Sequence, residues 1–425
     1  MYTHTDYKST YGRIMQFNKN KREPIHRWYP FVEGYSREFI KSIIDEMPKK
    51  NLICLEPFSG SGTTTLELQN NGIPCYAFEV NPLMYLISRV KLEKSYSSAR
   101  IDYWLDYVIK NRKIENVVLP SEFPTLYENN DNNRKKWNYS STVGKSIEKL
   151  KIAINSIDEI TYKELFKVAL ASILLEVSNL YRNGKCLSYK KNWENNTYTE
   201  EEVFQLFDNK IKKEIKPDIE MPHIHTDCNN KDMLFNEDSR IGIQKRLNDS
   251  SVDLVITSPP YLNSRDYTDT YMLELKTLDL TRDSKAILDL RKKTIRSHVQ
   301  IKWNDTSAID NELLKKTISS LNEASSGITK WNDSLIDMVR LYFVDMHGIF
   351  MNMYRKMKNG GRVFFNVSNS AYFNVLINTL EICTSIAESV GFRVIEIRDA
   401  RELKTSPQQQ EKVGKLLEGV IVLEK

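Results

Sequence analysis

The sequence predicts an α/β protein built on one doubly wound sheet that carries inserted helical and basic segments. Three observations predict it. Short apolar or β-branched runs end in Gly, Asn, Asp or Pro and pass into helical patterns; these runs gather in residues 24–94 and 233–425; and a stretch of different composition lies between. In the first region residues 51–56 read as a strand, a helix follows Thr63, and residues 73–79 read as the next strand, which makes a β-α-β unit. In the second, residues 252–257, 361–367, 392–397 and 419–424 read as strands, with helices around 345–357 and 374–390.

Residues 95–232 are rich in Lys, Glu, Asn and Tyr, with helical periodicity strongest over 162–181 and a polar, loop-like stretch at 129–138. They read as an inserted, mainly helical module. The chain therefore divides into 1–94, 95–232 and 233–425, the last holding a second insertion at about 262–332 with the basic run 290–296. No internal repeat is present.

With 425 residues, 40% hydrophobic and 28% charged, the chain is long enough for one large domain with an insertion or for two ordinary domains. Its longest apolar stretch, residues 168–175, is far short of the roughly 20 residues of a spanning helix, and the polar residues 1–21 lack a signal-peptide core. A cytoplasmic protein is expected. Five scattered cysteines (Cys54, Cys75, Cys186, Cys228, Cys383) form no Cys-x-x-Cys pair, which suits a reducing compartment. The net charge of +5 permits a polyanionic partner without requiring one.

Four motifs carry chemistry. Residues 56–64, Glu-Pro-Phe-Ser-Gly-Ser-Gly-Thr-Thr, sit where a strand gives way to a helix. Gly60 and Gly62 allow a sharp turn and a close approach of backbone to a ligand, so a side chain at either is expected to fill ligand space. A dinucleotide fingerprint needs a third glycine where Thr65 stands, and a P-loop needs a lysine after Gly62; neither is present. Next, Glu79 closes the second strand before Val80 and Asn81, placed to accept from both hydroxyls of an adenosine ribose; a solvated strand-end glutamate is the alternative. Asp238, in Phe-Asn-Glu-Asp-Ser-Arg240, is a candidate acceptor for an adenine amino group, and a helix N-cap at Asp238 or Ser239 is the competing reading.

The fourth motif is Thr257-Ser-Pro-Pro-Tyr261 after an apolar strand. Two prolines stop both helix and sheet, leaving a stiff turn with unpaired carbonyls. Such a turn can hold an amino group. A base amino nitrogen is a poor nucleophile because its lone pair is delocalised; if Ser258 Oγ and a carbonyl of Pro259 or Pro260 hold its hydrogens, it can pyramidalise and attack a sulfonium methyl. Tyr261 is placed to stack on a base flipped from the duplex.

Glu56 to Thr64 and Ser258 to Tyr261 together resemble the amino-methyltransferases of bacterial restriction-modification systems. Their cofactor loop reads Asp-Pro-Phe-x-Gly-Ser-Gly-Thr-Thr, and their catalytic loop reads Ser-Pro-Pro-Tyr in cytosine-N4 enzymes and mostly Asp- or Asn-Pro-Pro-Tyr in adenine-N6 enzymes. Glu56 replaces the first Asp, keeping the carboxylate but lengthening its reach. Residues 26–31, His-Arg-Trp-Tyr-Pro-Phe, resemble the segment that closes over the methionine end of the cofactor, and residues 358–366 resemble the turn into the fifth strand.

The resemblance implies a Rossmann-like, seven-stranded methyltransferase sheet using S-adenosylmethionine. It assigns the cofactor to Tyr29, Pro30, Glu56, Pro57, Phe58, Ser59, Gly60, Ser61, Gly62, Thr63, Thr64, Glu79, Val80, Asn81, Asp238 and Ser239, and catalysis to Ser258, Pro259, Pro260 and Tyr261. The partner implied is double-stranded DNA, with a cognate restriction endonuclease as a separate protein and no membrane. Arg291, Lys292, Lys293 and Arg296 are candidate phosphate contacts, a solvated helix face being the alternative. The expected product is N4-methylcytosine. Rivals are adenine-N6 methylation, methylation of RNA or a protein amide, and DNA binding without catalysis.

Two other clusters carry less weight. Pro74-Cys75 matches the Pro-Cys pair of cytosine-C5 enzymes but lies in the second strand, where a buried thiol is expected. His223, His225, Asp227 and Cys228 have alternating spacing that an extended segment explains without metal, and none is expected.

Overall fold

In the computed structural model the six runs read as strands pair with two further strands into one eight-stranded sheet. The structure describes residues 2–48, 51–128, 136–184, 186–195, 197–221, 227–262, 266–327, 333–405 and 410–425. The sheet strands are β1 (His4–Asp6), β2 (Cys54–Glu56), β3 (Cys75–Phe78), β4 (Leu234–Phe235), β5 (Val252–Thr257), β6 (Met357–Ser368), β7 (Arg393–Lys404) and β8 (Lys415–Glu424). Their spatial order is β1-β7-β8-β6-β5-β2-β3-β4. The run from β4 through β6 is parallel, and β8 lies antiparallel to both β6 and β7. Strands β2 to β8 make the expected seven-stranded Rossmann-like sheet. The eighth, β1, is an addition at the edge: it is polar and pairs parallel with β7, and its His4 ring contacts Asp399 at 2.7 Å and Glu381 at 3.1 Å.

Both faces of the sheet are covered, as its apolar strands require. Leu254 and Ile256 of β5 point into one hydrophobic cluster with Phe39, Ile40 and Phe364, while Val252 and Val255 point into another with Tyr342, Phe350 and Phe365. Period-2 alternation divides Leu254 to Ile256 between two cores, and a register shift between Val252 and Leu254 places Val252 on the side of Val255.

The helix expected at 345–357 begins earlier, at Leu335–Lys356, because Leu335, Met338, Val339 and Tyr342 extend its buried stripe. The segment expected as one helix from 374 opens instead with a strand at Val375–Ile377. The helix Thr379–Val390 then starts at Asn378, whose side chain caps the Glu381 N–H. Strand β4 is only two residues long, too short for any period to register, and is defined by its pairing with Ala77 and Phe78.

Between β3 and β4 the chain forms helices Ser98–Asn111, Ser141–Asn155, Ile160–Val177 and Glu200–Lys210. Their buried residues, among them Ile101, Leu165, Phe166 and Phe207, share one hydrophobic cluster with Trp28, Leu83 and Ile87, and with Leu273 and Leu275. Asp218, fully buried, ties this region to the N-terminal segment, accepting from the Trp28 Nε1 at 2.9 Å, the Ile25 N–H at 2.8 Å and the Arg27 guanidinium.

Candidate active site

A cavity of about 580 Å³ opens at the carboxyl ends of the parallel strands. Ligands bind in this place in open α/β sheets, because each strand there releases its chain into a loop. Pro57 to Ser61 with Thr63 and Thr64, then Glu79 to Asn81, Asp238 and Ser239, and the whole of Ser258 to Tyr261 line it together. Segments some 200 residues apart in the chain meet here because β2 pairs with β5, Cys54 opposite Leu254.

The glycine loop turns in the left-handed region, with φ of 53° at Gly60 and 84° at Gly62. The two glycines do different work. A Cβ at Gly60 would lie 3.2 Å from the Phe31 ring at the cavity wall, whereas one at Gly62 would lie 2.4 Å from Ser88 Oγ, inside the packing against the helix Pro82–Leu92. Gly60 lines the cavity, whereas Gly62 is outside its lining, so a side chain at Gly62 would meet protein where the expectation had it filling ligand space. Gly62 instead starts the helix Thr63–Asn70, whose first N–H groups have no intrahelical partner.

Glu79 accepts from the Gly60 N–H at 2.8 Å and the Asn81 N–H at 2.7 Å, so the glycine loop and the strand end are held on one carboxylate. Burial pushes this carboxyl up to about 7, with those backbone donors pulling the other way. Ser61 Oγ is buried without a hydrogen-bond partner, a polar group in the cavity wall that a ligand can satisfy. A cradle that a Cβ would narrow, a ribose-type acceptor and an unsatisfied hydroxyl fit S-adenosylmethionine. Asp238 lines the cavity, and it caps the helix Ser239–Arg246 as the competing reading expected, accepting from the Arg240 N–H at 2.9 Å and the Arg240 guanidinium.

Glu56 is not in the cavity wall. It is 1% exposed and accepts from the Thr257 hydroxyl, from the Phe58 N–H at 2.9 Å and from the Tyr35 hydroxyl at 3.2 Å. Burial pushes it up to about 7 against these donors. The longer side chain thus joins the glycine loop to the residue that precedes Ser258, beneath both loops.

On the catalytic side, Ser258 Oγ donates to Tyr261 Oη at 3.4 Å, and Tyr261 Oη donates to Glu418 Oε1 at 2.6 Å. Asn366 Nδ2 donates to Tyr261 Oη at 2.7 Å and to Glu418 Oε1 at 3.2 Å, while Arg401 pairs with the other oxygen of Glu418. Burial, and then the Glu418 charge, hold the Tyr261 phenol well above its ordinary pKa, so it keeps its proton. Sequence reasoning missed Asn366, Arg401 and Glu418. Asn366 interrupts the apolar run of β6, which is a usable signal; Glu418 arrives only through the antiparallel pairing that sets it opposite Ser368.

Several expected site residues lie elsewhere. Tyr29 and Pro30 line a separate cavity of about 440 Å³; the Tyr29 ring is buried, its hydroxyl donates to Glu274 at 2.9 Å, and Phe31 lines the larger cavity instead. A buried phenol needs a partner, and Glu274 with Arg182 supplies one. In the basic run, Arg291 pairs with Asp266 at 2.7 Å and with Asp269, and Arg296, 8% exposed, pairs with Asp345 at 2.7 Å and with Asp305. These two arginines serve the fold rather than phosphates. Lys292 is exposed beside Asp289 at 3.7 Å, and Lys293 is exposed at the cavity edge. Cys75 is buried within β3, away from the catalytic loop. His223 and His225 lie outside the described residues, and among the described residues no cluster of His, Cys, Asp or Glu suits a metal. No described helix is long and apolar enough to cross a membrane.

A sheet in this order, with a glycine loop and a Ser-Pro-Pro-Tyr loop on one cavity, defines a Rossmann-like methyltransferase fold. The chain is a homologue of the type II methyltransferases of restriction-modification systems. It is 28% identical to the type II methyltransferase M.BsoBI of Geobacillus stearothermophilus, over 95% of this chain and 86% of the relative. It is 27% identical to M.AvaI of Nostoc sp., over 92% and 84%, and 25% identical to M.MvaI of Kocuria varians, over 85% and 80%. No family model matches the chain.

Proposed function

We propose that this DNA methyltransferase modifies the N4 amino group of cytosine in duplex DNA, taking the methyl from S-adenosylmethionine. The observation that carries the reading is the position of Ser258 to Tyr261 in the same cavity as the glycine loop and Glu79. When bound, S-adenosylmethionine supplies an electrophilic methyl on a sulfonium. The chain's residues do the rest. Ser258 gives its own hydrogen to Tyr261, which leaves the Oγ lone pairs turned to an incoming amino group. Together with a carbonyl of the Pro259-Pro260 turn they hold the amino hydrogens as the nitrogen pyramidalises, an interaction that strengthens towards the transition state. A serine in this place, rather than Asp or Asn, supports cytosine over adenine.

A base inside a duplex cannot reach this cavity, so the target is flipped out, with the Tyr261 ring as its stacking face. Lys21, Lys293 and Lys404 are exposed and line the cavity, and they supply phosphate contacts at its mouth. Sequence recognition falls to the inserted segments 95–232 and 262–332, since the catalytic loop meets only the flipped base. Digesting methylated DNA to nucleosides and weighing the modified one tests the proposal. N4-methylcytosine is expected; N6-methyladenine overturns the target, and 5-methylcytosine overturns the mechanism.

A further inference from the structure

Methylating an amino group creates a proton that must leave. Before the reaction the nitrogen carries two hydrogens, and after it one hydrogen and a methyl. Ser258, unlike an aspartate at the same place, cannot keep that proton, because a serine hydroxyl accepts a proton only by passing on its own.

The hydrogen bonds around Tyr261 show where it can go. Glu418 is a carboxylate and can only accept, so the Asn366 amide nitrogen must face it, which fixes the orientation of that amide. Asn366 Nδ2 also donates to Tyr261 Oη, so the phenol hydrogen is directed to Glu418 Oε1 at 2.6 Å and an Oη lone pair faces Ser258 at 3.4 Å. Every donor points the same way, from the cavity towards Glu418. Glu418 is 1% exposed and its other oxygen is held by Arg401, so the end of the chain is fixed in place.

We propose that Ser258, Tyr261 and Glu418 form a proton relay, with Glu418 the terminal acceptor of the proton released from the base amino group. The inference rests on the amino-methylation reading above. The amino nitrogen bonds to the methyl carbon, and the electron pair of the broken carbon–sulfur bond stays on sulfur. The nitrogen's surplus proton passes to Ser258 Oγ, the serine hydrogen to Tyr261 Oη, and the phenol hydrogen to Glu418 Oε1. One proton enters and one neutral carboxyl results. A nitrogen that has just gained a methyl is a strong acid, so a carboxylate is base enough to take its proton. Water takes the proton from Glu418 once the product leaves.

The test uses the full chain, labelled S-adenosylmethionine and DNA from a methylation-deficient bacterial host, under single-turnover conditions in H2O and D2O. Tyr261→Phe keeps the stacking face and removes the middle of the relay; Glu418→Gln keeps the shape and removes its end. Each is expected to slow transfer by about 100-fold, the lower end of the range for a lost proton-transfer group. DNA and cofactor affinities should stay within about threefold. The wild type should show a solvent isotope effect that curves with deuterium content, several protons moving together, and Tyr261→Phe should lose the curvature. Infrared difference spectra of the wild type should show a protonated-carboxyl band during turnover that Glu418→Gln lacks. Wild-type rates in both variants, or slower rates with the isotope effect unchanged, overturn the relay and leave Glu418 a positioning residue. A wild-type protein that methylates no base amino group sinks the functional reading itself, a separate outcome.

Discussion

Replacing Gly62 with alanine separates a packing glycine from a ligand-facing one. At φ 84° an L-residue is in the left-handed region, which costs about 1–2 kcal/mol. The new Cβ would lie 2.4 Å from Ser88 Oγ and 3.1 Å from Ser88 Cα, and overpacking of this kind costs about 1–3 kcal/mol more. The expected total is about 2–5 kcal/mol of folding stability, measured as a shift in the urea midpoint with an unchanged slope. Ser88→Gly removes the Oγ and Cβ contacts but leaves the Cα and the backbone strain, so the double variant should recover about 1–2 kcal/mol of the loss. Gly60→Ala makes the contrast: its Cβ meets Phe31 at 3.2 Å in the cavity wall, so calorimetric affinity for S-adenosylmethionine should fall more than stability does. A Gly62→Ala protein as stable as the parent, or a loss that Ser88→Gly leaves untouched, would refute the reasoning.

Glu79→Ala should weaken S-adenosylmethionine binding by about 1.5–3 kcal/mol in calorimetry. Since burial raises the Glu79 carboxyl to about 7, its ionised acceptor form disappears as pH falls through that value; wild-type affinity should decline there while that of Glu79→Gln stays flat. Glu56, raised from 4.5 to about 7, contributes stability that is fully present below 4.5 and lost as pH rises through 7, so Glu56→Gln should flatten the pH dependence of unfolding in that window. Arg296→Ala leaves Asp345 buried with Arg240 as its remaining cation, and should cost towards the lower end of about 3–5 kcal/mol without changing the salt dependence of DNA binding; Lys293→Ala should lower that salt slope by about one. Ser258→Ala should lose most turnover while binding cofactor and DNA, and Cys75→Ser, altering a thiol buried in β3, should remain active, so activity abolished only by the latter rules out direct attack by the amino nitrogen.

What the sequence determined by itself is local. Apolar runs, most of them ending at Gly, Asn, Asp or Pro, marked six of the seven strands of the methyltransferase sheet, because strand period and turn chemistry are properties of neighbouring residues. Gly60 with Gly62, Glu79 and Ser-Pro-Pro-Tyr were legible for the same reason, each a short motif whose backbone demands can be read from the residues within it. Strand β4 was not legible, being two residues held only by a neighbour. What the tertiary structure alone decided are matters of partner and direction. Arg291 and Arg296 look like a cationic face until Asp266 and Asp345, 25 and 49 residues away, are folded against them. Tyr29 resembles a cofactor contact until Glu274 takes its hydroxyl, and Gly62 resembles a ligand-facing glycine until the helix Pro82–Leu92 packs on it. Glu418 reaches Tyr261 across 157 residues only because β8 returns antiparallel beside β6. A buried charge or hydroxyl must find a partner wherever the fold brings one, and the identity of that partner is set by strand order and register, which no local pattern contains.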